Sequence, residues 1–191
     1  MTRRFLLLFF PLILSAALVR HTWDKPDSEW KEAEAKTIVS DSPWAKATAI
    51  TGGDKAIIRW EDSEPVRRAL QRLGMTPAIG NAEQYYALAL SARLSELPES
   101  GSRRNWTARL TVPGNWNLEA SEVRVVSQSQ NSAVVFLFPK QGPLRQPNLW
   151  SLPFGIILPS WNAEFRARVG STEIVQRFPL HRMWYMGRIE L

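Results

Sequence analysis

The chain contains no cysteine. That single absence excludes disulfides, cysteine nucleophiles, thioredoxin-type exchange, zinc ribbons and cysteine-ligated clusters. Histidine is almost as scarce, with His21 and His181 the two in the chain. A Ser–His–acid triad would have to use His181, and no G-x-S-x-G elbow supplies its serine. Phosphate-binding loops are missing as well. Gly52-Gly53 and Gly101 stand apart, with neither a P-loop nor a G-x-G-x-x-G run after a strand. No Asp-rich loop carries the glycine of a calcium site. Neither a metal nor a cofactor is expected. The formal charge of +6 is weak for a nucleic-acid binder, and Arg67-Arg68 and Arg103-Arg104 are the only adjacent basic pairs outside the first residues.

What the chain does have begins at its start. Arg3 and Arg4 precede an almost wholly apolar run from Phe5 to Val19. As a helix the run spans about 22 Å at ~1.5 Å per residue, short of the roughly 30 Å hydrocarbon core of a bilayer. Together with the small residues Ser15, Ala16 and Ala17, it reads as a secretory signal peptide over residues 1–17, cleaved after Ala17. The alternative is a retained membrane anchor over residues 5–19. Cleavage removes Arg3 and Arg4 and leaves 22 basic against 18 acidic side chains. The expected destination is the periplasm or the exterior. Residues 18–26 then form a linker, and residues 27–191 one α+β domain. Without disulfides, that domain must be held by packing, which suits the eight of the chain's nine tryptophans and five of its eight phenylalanines that fall within it.

Helix signals lie early. Asp27-Ser28 can cap a helix through Glu29–Lys36 that ends by Ser42-Pro43. Trp44–Ile50 and Ala56–Trp60 read as a strand pair across Thr51-Gly52-Gly53-Asp54. In AIIRWEDSEPVRRAL (Ala56–Leu70) a two-residue period gives way to a helical one. Asp62 or Ser63 can cap the helix, Pro65 falls in its first turn, and Val66, Ala69, Leu70 and Leu73 share one face before Gly74. A strand over Tyr85–Ser91 and a short helix over Ala92–Leu97 follow.

From Trp106 onward the pattern is β. Ala108–Val112, Glu122–Ser127, Ala133–Phe138, Ala163–Val169 and Thr172–Phe178 read as strands, and Leu180–Leu191 as a last one carrying His181. Val134–Phe138 is continuously apolar, as expected of a strand covered on both faces. The fold class is therefore α+β. An N-terminal helix and a strand–helix–strand unit precede a mainly antiparallel β-sheet or sandwich half.

Three segments also resemble a family. They are Ser42-Pro43-Trp44-Ala45-Lys46, then Arg59-Trp60-Glu61-Asp62-Ser63-Glu64-Pro65-Val66-Arg67, and the closing Met183-Trp184-Tyr185-Met186-Gly187-Arg188-Ile189-Glu190-Leu191. In this order the chain resembles uncharacterised secreted proteins typical of acidobacteria, some related to proteins with a GWxTD-type domain. The resemblance implies export and one continuous domain. It implies no activity and no catalytic residue.

Two functional expectations follow. The first is a non-enzymatic binding or structural module of the cell envelope, with an envelope protein or polymer as partner and no nucleic acid. Trp150 and Phe154, in a stretch with five of the 13 prolines, are its candidate contacts, and Arg67 and Arg68 would support them. The second is a hydrolase acting on an extracellular polymer. Its acid–base residues would be Glu61, Asp62 or His181, since paired carboxylates can serve glycoside hydrolysis. Against that stands a simpler role for Glu61, Asp62 and Glu64, as acidic groups favoured at a helix start.

Overall fold

Large apolar side chains alternating with polar ones build two antiparallel sheets around one core. A computed structural model describes residues 21–49, 55–77, 79, 84–93, 106–112, 116–128, 131–140, 161–169 and 172–191. In chain order the elements are α1 (Glu32–Ser40), β1 (Ala45–Ala49), β2 (Lys55–Trp60), α2 (Glu64–Arg72), β3 (Tyr85–Arg93), β4 (Thr107–Val112), β5 (Trp116–Glu119), β6 (Glu122–Gln128), β7 (Asn131–Pro139), β8 (Asn162–Val169), β9 (Thr172–Pro179), β10 (Trp184–Tyr185) and β11 (Arg188–Ile189). The first sheet runs β1-β2-β3-β7-β6 and the second β5-β4-β8-β9, while β10 and β11 pair alone. The β-rich α+β class expected from the sequence is the one observed.

The two sheets face each other through aromatic contacts. Phe165 on β8 meets Phe136 and Phe138 on β7, with ring centroids 5.5 and 6.3 Å apart. Trp60 on β2 meets Phe178 on β9 edge-on at 5.8 Å. All five rings are fully buried. Burying a side chain of this size is worth about 2–3 kcal/mol of transfer free energy, so such contacts replace the cross-links that the chain cannot make. Ile38 and Val39 of α1 and Val66, Ala69 and Leu70 of α2 join the same core. Central strands of the first sheet are buried on the other face too, where Ala87, Ala89, Val135 and Leu137 cluster with Ile79. That explains the unbroken apolar run Val134–Phe138.

Several local expectations are corrected. The first α-helix starts at Glu32, not Glu29. Asp27–Glu29 form a separate 3-10 turn, and the Glu34 carboxylate accepts the Lys31 backbone N–H at 2.6 Å to begin α1. β3 continues through Ala92 and Arg93, because Ala92 pairs with Ser132 and Arg93 with Asn131. A helix starting at Ala92 is therefore excluded, and 94–97 lie outside the described residues. The short strand β5 was not expected. Leu180–Leu191 is not one strand. Leu180–Arg182 form a 3-10 turn, and β10 and β11 then make a hairpin whose two turn residues, Met186 and Gly187, have φ of 49° and 82°. Trp23, in the stretch expected to be a linker, is buried in the core against Trp44.

Candidate functional site

The acidic junction between β2 and α2 is built by a chain that leaves the sheet while still bonded to it. Glu61 N–H donates to the Ala87 carbonyl at 2.8 Å, continuing the β2–β3 ladder by one bond. The chain then turns away, and the Asp62 carboxylate takes over as acceptor. Its Oδ1 receives the Ala87 N–H at 2.9 Å, standing in for the backbone carbonyl that the turn removed. Asp62 and Glu61 have fully buried side chains.

Each carboxylate has its own cation. Arg59 Nε donates to Glu61 Oε2 at 2.6 Å, and both side chains are buried. Arg59 sits between Ala45 on β1 and Ala89 on β3, and these small neighbours leave room for a guanidinium over the sheet. Lys140 Nζ lies 3.2 Å from Asp62 Oδ2, close enough for an ion pair but without a well-aligned hydrogen bond. The same ammonium sits 4.9 Å from the centre of the Tyr86 ring. Burial raises the Asp62 carboxyl to about 6, against the opposing pull of Lys140 and the Ala87 N–H. Burial, with a smaller push from Asp62, raises the Tyr86 hydroxyl to about 12.

Neither carboxylate caps α2. Ser63 occupies the cap position, but its hydroxyl donates to the Trp60 carbonyl at 2.9 Å. The first helical N–H, that of Glu64, instead meets the Glu190 carboxylate at 3.4 Å, brought from the far end of the chain. Arg188 bridges the two acids, 2.9 Å from Glu64 and in contact with Glu190. Glu64 is thus the expected acid in the first turn of α2, Glu190 supplies the carboxylate that its N–H meets, and Asp62 completes a sheet.

The remaining expected residues do not converge on this junction. His181 lies on the 3-10 turn after β9, its Nδ1 buried without a hydrogen-bond partner, and it makes no hydrogen bond or ion pair with Glu61 or Asp62. Arg68 pairs with Glu64 at 3.4 Å and with Asp27 at 3.8 Å, as an exposed helix residue does. Arg67 is half-buried and makes no ion pair with Glu64. Trp150 and Phe154 lie outside the described residues. No group of three or more metal-ligating side chains occurs among the described residues.

A second feature escaped sequence reading. The outer face of the second sheet carries Arg109, Arg166, Arg168 and Arg177 interleaved with Glu119, Glu164 and Glu173. A depression of about 150 Å³ opens on it, lined by Thr107, Arg109, Arg166, Arg168, Glu119 and Glu173 among others. The register makes this face: Arg109 lies directly opposite Arg166, and Thr107 opposite Arg168. Alternation alone marks each arginine as outward, but only strand pairing places them together.

Comparison with protein-family models, curated proteins and solved structures gives no match to this chain.

Proposed function

We propose that this protein is an exported binding or structural module of the cell envelope, not a hydrolase. The observation that supports it best is the state of the two candidate acids. Glu61 and Asp62 are buried at a strand end and held by separate cations. Acid–base catalysis needs such groups within reach of a substrate, and these reach Arg59, Lys140 and Ala87 instead. His181 joins neither of them. In this reading residues 21–191 form one domain, since Trp23 and Lys25 pack and pair with it. The first helix and the strand–helix–strand segment frame an antiparallel half, and Trp150 and Phe154 contact an envelope protein or polymer, with Arg67 and Arg68 in support. Residues 1–17 direct export, or residues 5–19 anchor the chain to the membrane.

The test joins location to chemistry. The chain is expressed from Met1, cells are fractionated, and the recovered protein is incubated with envelope polysaccharide and peptidoglycan. Recovery outside the cytosol, with stoichiometric retention on a polymer or envelope protein and no cleavage products, is expected. Product release abolished by Glu61→Gln or Asp62→Asn in a protein that remains folded would establish the hydrolase instead.

A further inference from the structure

We infer that the depression on the outer face of the second sheet is a binding site for a phosphate-type oxyanion, with Arg168 as its principal donor. This inference rests on the reading of the protein as a binding module and gives that module a ligand class.

Strand register brings the site together. Arg109 on β4 and Arg166 on β8 are directly opposite each other, an arrangement in which like charges repel. Each is balanced from outside. Arg109 Nε donates to Glu119 on β5 at 2.6 Å. Arg166 donates to Glu173 on β9 at 2.9 Å and to Glu164 on its own strand at 3.0 Å. Arg168 stands opposite Glu173 in the register, yet Glu173 reaches diagonally to Arg166. Glu164, the acid of β8, is shared between Arg166 and Arg177. Arg168 is thus left without an ion pair among the described residues, while Thr107 lies directly across from it.

The depression is bounded by three guanidinium groups and two carboxylates, and both carboxylates are already engaged by Arg109 and Arg166. An incoming anion therefore meets one uncommitted guanidinium and the remaining N–H groups of two more. Guanidinium presents five donors in a planar fork, and Arg109 commits one of them to Glu119. A tetrahedral oxyanion can accept from several such forks at once, and it would relieve the repulsion between Arg109 and Arg166. The volume of about 150 Å³ admits one such group and not a folded chain. A phosphate could come from a soluble ligand or from a lipid headgroup. The chemistry at Arg168 is the same in both.

The test uses the chain expressed from Met1 and isolated as the cell leaves it. Inorganic phosphate is titrated while the arginine Nε–H signals are followed by NMR. In parallel, sedimentation with phosphatidylglycerol vesicles is compared with sedimentation on phosphatidylcholine vesicles. Saturable shifts at Arg168 and Arg109 are expected, weakened about three- to fivefold in Arg168→Ala, as befits exposed charge-assisted bonds. Arg72→Ala removes the same charge from the exposed end of α2 and should leave the titration unchanged. Excess binding to phosphatidylglycerol that Arg168→Ala abolishes identifies a headgroup as the source. Saturable phosphate binding without it identifies a soluble ligand. Shifts that grow without saturation, or that fall equally in Arg168→Ala and Arg72→Ala, overturn the site. The export and polymer-retention test does not depend on Arg168, so the module reading stands or falls separately.

Discussion

The indole N–H of Trp44 donates to the backbone carbonyl of Glu190 at 2.7 Å, joining residues 146 positions apart. Trp44 is fully buried and its ring also meets Trp23 edge-on. The bond holds the chain's closing segment beside α2, where Glu190 and Arg188 serve the helix start. Trp44→Phe keeps an aromatic ring but leaves the carbonyl without its donor, so a loss of about 1–3 kcal/mol is expected. Trp44→Ala adds a cavity, for about 3–5 kcal/mol. Denaturant midpoints at constant slope measure both.

Asp62 should give the protein an unusual pH response. Its folded-state value is raised from 3.8 to about 6, so folding favours the protonated carboxyl. This contribution to stability is fully present below about pH 4 and is lost as pH rises through about 6. Glu32, Glu34, Glu122 and Glu164 run the other way, because hydrogen-bonded basic partners lower them, and what they contribute is lost as pH falls. Asp62→Asn keeps an acceptor for Ala87 and has no proton to gain. The difference in melting temperature, variant minus parent, should therefore become more positive between pH 4 and pH 7. A constant difference across that range would remove Asp62 from the account.

Met186 occupies the left-handed region at φ 49°, next to Gly187 at 82°. Its side chain is 69% exposed and so gains little from packing. Asn tolerates this conformation better in a two-residue hairpin turn, and Met186→Asn should stabilise by about 0.5–1 kcal/mol. Gly187→Ala should destabilise by a similar or larger amount, since Ala strains at positive φ. Thermal unfolding of the two variants should move in opposite directions.

Features that depend on nearest neighbours were legible in the sequence. The alternation of β8 and β9, the apolar face of α2 and the double-sided run in β7 all came from spacing alone. Those that depend on distant pairing were not. Asp62 looked like a helix cap because its acceptor role is defined by Ala87, 25 residues away. Glu64 was legible as the acid of the first turn, but the carboxylate that meets its N–H comes from Glu190, which no local pattern links to it. The final hairpin was hidden because Met is not a turn residue, so the stretch kept an apparent strand period. Arg109 on β4 joined Arg166, Arg168 and Arg177 of the β8–β9 hairpin in one face only once register aligned β4 with β8, more than 50 positions away.

The most direct measurement is a double-mutant cycle between Arg59 and Glu61. Unfolding free energies are compared for the parent, Arg59→Met, Glu61→Gln and the double variant. If this junction exists to hold the sheet together, Glu61→Gln strands a buried guanidinium and costs about 3–5 kcal/mol, while the double variant recovers much of that loss. A Glu61→Gln protein as stable as the parent, but unable to cleave an envelope polymer that the parent cleaves, would contradict it.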